Sequence, residues 1–381
     1  MPELLGTLMN APKSVDIAVT GKCNLACKYC FYADEMVALS NLSTHEWLQF
    51  FEELGRLKVM TVGLTGGEVF THPDLFQLID GIIDNHMRYN LTTNGTLITE
   101  ETIEQFTIGK RRIRLDSIQI SIDGSSPEVH DKSRPHSFKR ALHGLKLLLA
   151  NGFPTTVRVT INRFNVDDLE NTAHLLLDEV GLPSFSTNEA YACGATESTE
   201  GGVRLSPEQR LQAMKVLTRL SEQYPGRISA QAGPLAYAND LRRIKQLQEN
   251  GEDGIPGRGY LTGCGGVFTK LAVLHDGTIV PCHVLSDLHM GRINQDAFED
   301  IWLNHPIMKR LRDRRQIPLS SITHCKGCEL INFCTGGCPG GALFALGDDN
   351  TYNPESCYHN LFGEDPFTRI ATVLESNEVE A

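Results

Sequence analysis

No stretch of this chain is apolar for long enough to span a bilayer as a helix, so a helical membrane protein is not expected. Basic residues are in deficit: 35 Lys and Arg stand against 47 Asp and Glu, a formal net charge of -12. A surface of that sign repels a phosphate backbone, so no nucleic-acid partner is expected. The opening MPELLGTLMNAPKS lacks a basic stretch followed by an apolar core, so it is no secretory signal. Internal repeats and low-complexity blocks are missing too. What is present is ordinary for a globular chain, 41% hydrophobic and 22% charged. A cytoplasmic enzyme or binding protein is the expectation. At 381 residues, it should hold one large domain with an appendage, or two domains.

Cysteine is the residue in excess. There are 11, an odd number without an export signal, so a disulfide framework is not expected. They also cluster: Cys23, Cys27 and Cys30 stand together, seven lie from Cys264 to Cys357, and Cys193 is alone. Grouped thiolates select zinc or iron–sulfur centres.

Between Val15 and about Gln223, short β-rich runs alternate with helical stretches. VDIAVT, MTVGLTG, RYNLTTNG, SIQISIDG, TTVRVTIN and FSTNEAYA read as strands. Helical periodicity follows each, with Ser43 as an N-cap candidate for the first helix and Pro73 at the start of the second. Strand-then-helix units in succession predict a parallel sheet with right-handed crossovers. Six units are fewer than the eight of a closed barrel. The expected fold class is α/β, a partial (βα)6 TIM-like barrel with a C-terminal cysteine-rich domain. The expected boundaries are 1–224 for the barrel, 225–263 for a helical linker or bridging region, and 264–381 for the cysteine-rich domain. The last part is short of long apolar runs, so bound metal must staple it. Its end, ESNEVEA, reads as an acidic tail.

The first motif, CNLACKYC, falls directly after the first predicted strand, where parallel α/β folds build their active sites. Three thiolates hold three irons of a [4Fe–4S] cube and leave the fourth open to a ligand that is not protein. Zinc is the competing reading. It asks for a fourth ligand, and the nearest later histidine, His45, lies within a predicted helix.

The motif and its position resemble the radical S-adenosylmethionine (radical SAM) superfamily from about Val15 to Tyr224. The resemblance implies that Cys23, Cys27 and Cys30 hold a cluster whose open iron is chelated by S-adenosylmethionine. One electron then cleaves the cofactor to a 5′-deoxyadenosyl radical that abstracts hydrogen from substrate. Gly66, Gly67 and Glu68 stand where the family's GGEP motif binds the cofactor amine, with Val69 in place of proline. Ser121, in SIDG, would touch the ribose region. HDKSRP resembles the family's HD-x2-R segment and nominates Arg134 for the cofactor carboxylate, which a guanidinium matches bidentately. Tyr29 and Asn94 complete the expected cofactor-binding set, although Asn94-Gly95 also reads as a plain turn.

A second constellation runs Cys264-x12-Gly277-x4-Cys282, then Cys325-x2-Cys328-x5-Cys334-x3-Cys338, then Cys357. It is similar to the SPASM extension of radical SAM enzymes, with zinc ribbons as the rival. The resemblance implies two auxiliary [4Fe–4S] clusters, three clusters in all. Cys325, Cys328, Cys334 and Cys357 would hold the distal one (Aux II); Cys264, Cys282 and Cys338 would hold the proximal one (Aux I). No cysteine lies between Cys264 and Cys282 to complete Aux I. Cys193 is a candidate ligand, hydrogen-atom donor or substrate contact, and equally a small buried hydrophobe.

This subfamily resemblance implies an oxidoreductase that modifies a ribosomally synthesised peptide or protein. An oxidative crosslink (C–C, C–S or C–O) is the expected reaction, because two auxiliary clusters give the substrate electron a route out. Peptide epimerisation, with Cys193 as donor, and formylglycine formation as in anaerobic sulfatase maturation are the alternatives. A non-catalytic iron–sulfur electron carrier is the alternative of another class. The expected partners are a peptide or protein substrate and an external one-electron donor such as flavodoxin or ferredoxin. Only about fourteen residues precede the first strand, so for a substrate with a leader either a separate leader-recognition protein or leader docking directly on the core is expected.

Overall fold

Six parallel strands follow one another across the sheet in chain order: β1 (Ser14–Thr20), β2 (Thr61–Gly66), β3 (Arg88–Thr93), β4 (Leu115–Ser121), β5 (Thr155–Ile161) and β6 (Phe185–Glu189). The structure is a computed structural model that describes residues 8–191, 193–198 and 202–363. The ESNEVEA tail lies outside the described residues. Helices α1 (Thr44–Arg56), α2 (Leu75–Asp84), α3 (Glu100–Thr107), α4 (Phe138–Ala150), α5 (Leu169–His174) and α6 (Pro207–Gln223) return the chain after each strand. Ser43 caps α1 as its sequence suggests: its hydroxyl accepts from the Glu46 N–H, and the Glu46 carboxylate accepts from the Ser43 N–H at 2.9 Å. The side of α1 bearing Trp47, Phe50, Phe51 and Leu54 is fully buried.

Period-two alternation gives the sheet two chemically different faces. Val62, Leu64, Ile118, Ile120, Val157 and Val159 face the helices and form the main core. The intervening residues, Ser117, Gln119 and Ser121 on β4 and Arg158 on β5, face the opposite, concave side. The interior of the partial barrel is therefore polar.

The sheet is wider than six units. β7 (Ile228–Ala230) extends it beyond β6, and three strands of the cysteine-rich segment extend its other edge. β8 (Lys270–Val273) lies parallel to β1, with Ser14 opposite Lys270 and Ile17 opposite Val273. β9 (Thr278–Val280) and β10 (Gly291–Arg292) follow antiparallel. These runs are too short to show a periodic signal by themselves; β1 supplies the template that orders them. A satellite core joins α6 and α7 (Pro234–Glu249) to the C-terminal cysteine segment through Met214, Leu241, Ile244, Leu330, Phe333 and Tyr358. No helix among the described residues is long and apolar enough to cross a membrane.

Candidate active site

The end of β2 lies directly on the cysteine loop that follows β1. The Gly67 N–H donates to the Thr20 carbonyl and the Glu68 N–H to the Lys22 carbonyl, both at 2.8 Å. Glycine is required here for space. A Cβ on Gly66, whose φ is +130°, would lie 2.4 Å from the Thr20 oxygen, and one on Gly67 would lie 2.2 Å from the Lys22 oxygen. Glu68 is consequently buried, at 1% exposure. Its carboxylate accepts from Thr93 Oγ1 (2.6 Å), the Asn94 N–H (2.7 Å) and the Phe70 N–H (3.2 Å). Burial pushes its pKa up against those hydrogen bonds and the field of Arg134. No cation forms an ion pair with it among the described residues. A buried carboxylate in that condition suits a ligand ammonium.

Asn94 follows β3 and hydrogen-bonds within the protein. Its Oδ1 accepts from the Thr96 N–H (2.9 Å) and hydroxyl (2.6 Å), while its Nδ2 donates to Asn24 Oδ1 (2.9 Å). Asn24 lies inside the cysteine motif and donates in turn to Thr96 Oγ1 at 2.8 Å. Both ends of the Asn94 amide are engaged within the protein, so it ties the β3 turn to the cysteine loop.

Arg134 also has a protein partner. Its Nε donates to Asp123 Oδ2 at 2.6 Å, and its Nη1 lies 3.6 Å from Cys27 Sγ. The guanidinium carbon sits 5.2 Å from the Tyr29 ring centroid, and the Tyr29 hydroxyl donates to the same Asp123 oxygen. The other Asp123 oxygen accepts from the Thr160 N–H at 2.8 Å. Asp123 is fully buried and organises this network, yet no expectation named it. The signal was present: SIDG puts a carboxylate just past the carboxyl end of β4. Burial pushes the Cys23, Cys27 and Cys30 thiols up, Cys30 to about 11, and Cys23 and Cys30 both feel Cys27. The Arg134 charge opposes that rise at all three. Three converging thiols beside one buried cation fit a thiolate-held cluster. Ser121 is half-buried at the end of β4, and its hydroxyl has no partner among the described residues.

The C-terminal thiols form two further neighbourhoods. Cys282 is pushed up to about 11 by burial and by the nearby Cys338 and Cys264. Cys325, Cys328, Cys334 and Cys357 line one cavity together with His324, Tyr352 and Tyr358. Cys357 Sγ is 3.6 Å from His324 Nε2, and the His324 ring stacks on Tyr352 with centroids 4.4 Å apart. Cys328, Glu329 and His359 also bring their ligand atoms within 4.8 Å of one another, a grouping the cysteine spacing does not reveal.

Cys193 does not end β6. That strand stops at Glu189, whose carboxylate pairs with Arg210, and the chain then turns toward the first cysteine loop. Gly194 (φ +54°) leaves no room for a Cβ, which would lie 2.4 Å from the Cys30 oxygen, and the Ala195 N–H donates to that oxygen at 3.0 Å. Two residues before Cys193, the Tyr191 hydroxyl lies against Gly341 in α8 (Pro339–Leu346), the helix that follows Cys338. The segment thus reaches from the first cysteine loop to the Cys338 helix. It lines an open groove of about 530 Å³ with Asp34, Arg204, Phe344 and Glu355.

The sequence matches the radical SAM superfamily over residues 17–176 and the SPASM iron–sulfur cluster-binding domain over residues 264–329. This chain belongs to the radical SAM superfamily and carries a SPASM domain. It is accordingly an enzyme, with S-adenosylmethionine and iron–sulfur clusters as cofactors. An AdoMet-dependent heme synthase of Methanosarcina barkeri is 28% identical over 357 residues, covering 92% of this chain and 98% of that protein. A PqqA peptide cyclase of Ruegeria pomeroyi is 25% identical over 355 residues, covering 90% and 87%. The crystal structure of Streptococcus suis SuiB bound to precursor peptide SuiA shares the fold with a TM-score of 0.70 at 17% identity, covering 90% of this chain and 75% of that one.

Proposed function

We propose that this enzyme is a cytoplasmic oxidoreductase that forms an oxidative crosslink in a ribosomally synthesised peptide or protein. The observation that carries the reading is the groove between the first cysteine loop and the Cys338 helix. The groove, about 530 Å³, is open to solvent along one side, so an extended chain segment can enter it and run on beyond the site. The peptide cyclase among the relatives supports the same class. Cys23, Cys27 and Cys30 would hold the first cluster. Glu68 and its two glycines would seat the cofactor amine, and Ser121 and Tyr29 would border its remainder. Arg134 keeps one edge on Asp123 and has its other nitrogens for a carboxylate. When bound, cluster and cofactor supply one-electron cleavage of a sulfonium and hydrogen-atom abstraction from substrate. Cys264, Cys282 and Cys338, with Cys325, Cys328, Cys334 and Cys357, would hold the two auxiliary clusters. An external flavodoxin or ferredoxin would deliver the electron, and a separate protein would recognise a substrate leader.

The heme synthase relative favours a second reading, in which the same machinery acts on an iron porphyrin. One experiment separates the two. The reconstituted enzyme is incubated anaerobically with reductant and S-adenosylmethionine, first with candidate precursor peptides and then with an iron porphyrin. Loss of two hydrogens from a peptide, read by mass spectrometry, is the expected result. Deuterium incorporation from solvent without other mass change means epimerisation instead. Conversion of the porphyrin, with every peptide untouched, would overturn the peptide reading.

A further inference from the structure

Arg158 is in a different condition from three other arginines around the barrel. Arg134 pairs with Asp123, Arg210 with Glu189 and Arg111 with Asp80. Arg158 has no carboxylate partner among the described residues, and its Nε is buried without a hydrogen bond. It sits mid-strand on β5, between Val157 and Val159, which belong to the helix-facing core. Alternation sends its side chain into the concave interior. The register sets it beside Ser121 of β4 on one hand and Ser186 of β6 on the other. Ser121 has a free hydroxyl, and two residues beyond Ser186 the Oδ1 of Asn188 is also buried and unpartnered.

A guanidinium does not give up its proton at any working pH. Burial alone lowers the Arg158 pKa, with no neighbouring charge acting against it. The protein therefore desolvates the Nε of a cation and offers that nitrogen no acceptor. A cation left so on the inner face of the sheet is complemented by an anion that arrives from outside. Planar, forked donors select a carboxylate, and Ser186 and Asn188 on the neighbouring strand can serve its other lone pairs or the amide beside it.

We propose that Arg158 anchors a carboxylate of the substrate inside the barrel. On the peptide reading above, on which this rests for its source, that carboxylate is an acidic side chain or a chain terminus near the residue to be modified. The anchor sets which residue is presented to the cofactor, so Arg158 determines specificity.

The test uses the reconstituted enzyme and two small probes, acetyl-Gly-Asp-Gly-amide and its Asn counterpart, with binding measured by saturation-transfer NMR. The wild type should hold the acid about tenfold more tightly than the amide, the difference between charge-assisted and neutral hydrogen bonding. Arg158→Met should remove that preference, and Arg158→Lys should keep part of it. Arg158→Met should leave S-adenosylmethionine affinity within about twofold, because the carboxylate belongs to substrate. It should melt no lower than the wild type, since an uncompensated cation has been removed. If Arg158→Met does not fold, Arg158→Gln carries the same measurements with an uncharged polar side chain. Equal preference in wild type and variant overturns the proposal. So does an S-adenosylmethionine affinity reduced about tenfold, which would make the carboxylate the cofactor's. A third probe pair, glutarate and its half-amide, separates this inference from the peptide reading. Discrimination of glutarate through Arg158, with both tripeptides ignored, upholds the anchor and overturns the peptide substrate.

Discussion

Arg134 and Asp123 form an ion pair, Nε to Oδ2 at 2.6 Å, where the fourth strand of the barrel meets the first cysteine loop. Asp123 has no exposed surface, and Arg134 is the cation that lies against it. Arg134→Ala should destabilise the protein by about 3–5 kcal/mol in denaturant unfolding, the cost of an orphaned buried charge. Adding Asp123→Asn should recover part of the loss. A double variant no more stable than Arg134→Ala would show that the pair is not the source. If Arg134 also meets the cofactor, Arg134→Ala should weaken S-adenosylmethionine binding by about 2–4 kcal/mol in isothermal titration.

Gly67→Ala tests the contact between the β2 end and the cysteine loop. The added methyl meets the backbone of Lys22, which precedes the first thiol and has no flexible end to move aside. The variant should assemble only the two C-terminal clusters, about eight irons in place of about twelve. A full iron content, read by colorimetric assay after anaerobic reconstitution, would show that the loop tolerates displacement.

Cys193→Ala should keep about twelve irons. The backbone just after Cys193 is committed to the Cys30 carbonyl. Loss of one whole cluster would instead make Cys193 the fourth ligand of Aux I. Full iron with only aborted or unepimerised product would make it a hydrogen donor.

His130 gives an acid limit to stability. It is fully buried; its Nδ1 accepts from the Asp123 N–H at 3.1 Å and its Nε2 lies 2.9 Å from Ser137 Oγ. That hydroxyl donates to the Arg134 carbonyl, so Nε2–H is the donor and the ring is neutral. Burial lowers its pKa to about 4, against an ordinary 6.5. The unfolded chain binds a proton below 6.5 that the native chain refuses until about 4, so stability falls with pH through that window. At pH 5.5 the cost is about 1.4 kcal/mol relative to neutral pH. His130→Asn should flatten this limb of the unfolding curve; an unchanged slope between pH 7 and 5.5 would place the acid sensitivity elsewhere.

The six strands and their helices are legible because each carries its own period, and the cysteine spacing speaks for itself. Two kinds of feature are not. The pairing of Ser14–Ile17 with Lys270–Val273 depends on contacts between the two ends of the chain, which no local pattern encodes. The second kind is partnership. Arg134, Asn94 and Glu68 are recognisable as residue types at the right strand ends, but which atom each one satisfies is decided only by packing. Asp123 escaped notice for that reason, and so did Arg158, whose significance is the partner it lacks.

The order of synthesis follows from the neighbour that β1 acquires last. Asp16 and Lys270, 254 residues apart, are joined across β1 and β8. At ribosomal speed, roughly 10–50 s separate the emergence of one from the other. Through that interval β1 is an edge strand, and Ala18 and Tyr32 beside the first thiols lack the cover of Leu274 and Val280. The nascent chain therefore presents its first three cysteines well before the strands that cover their neighbours have been made.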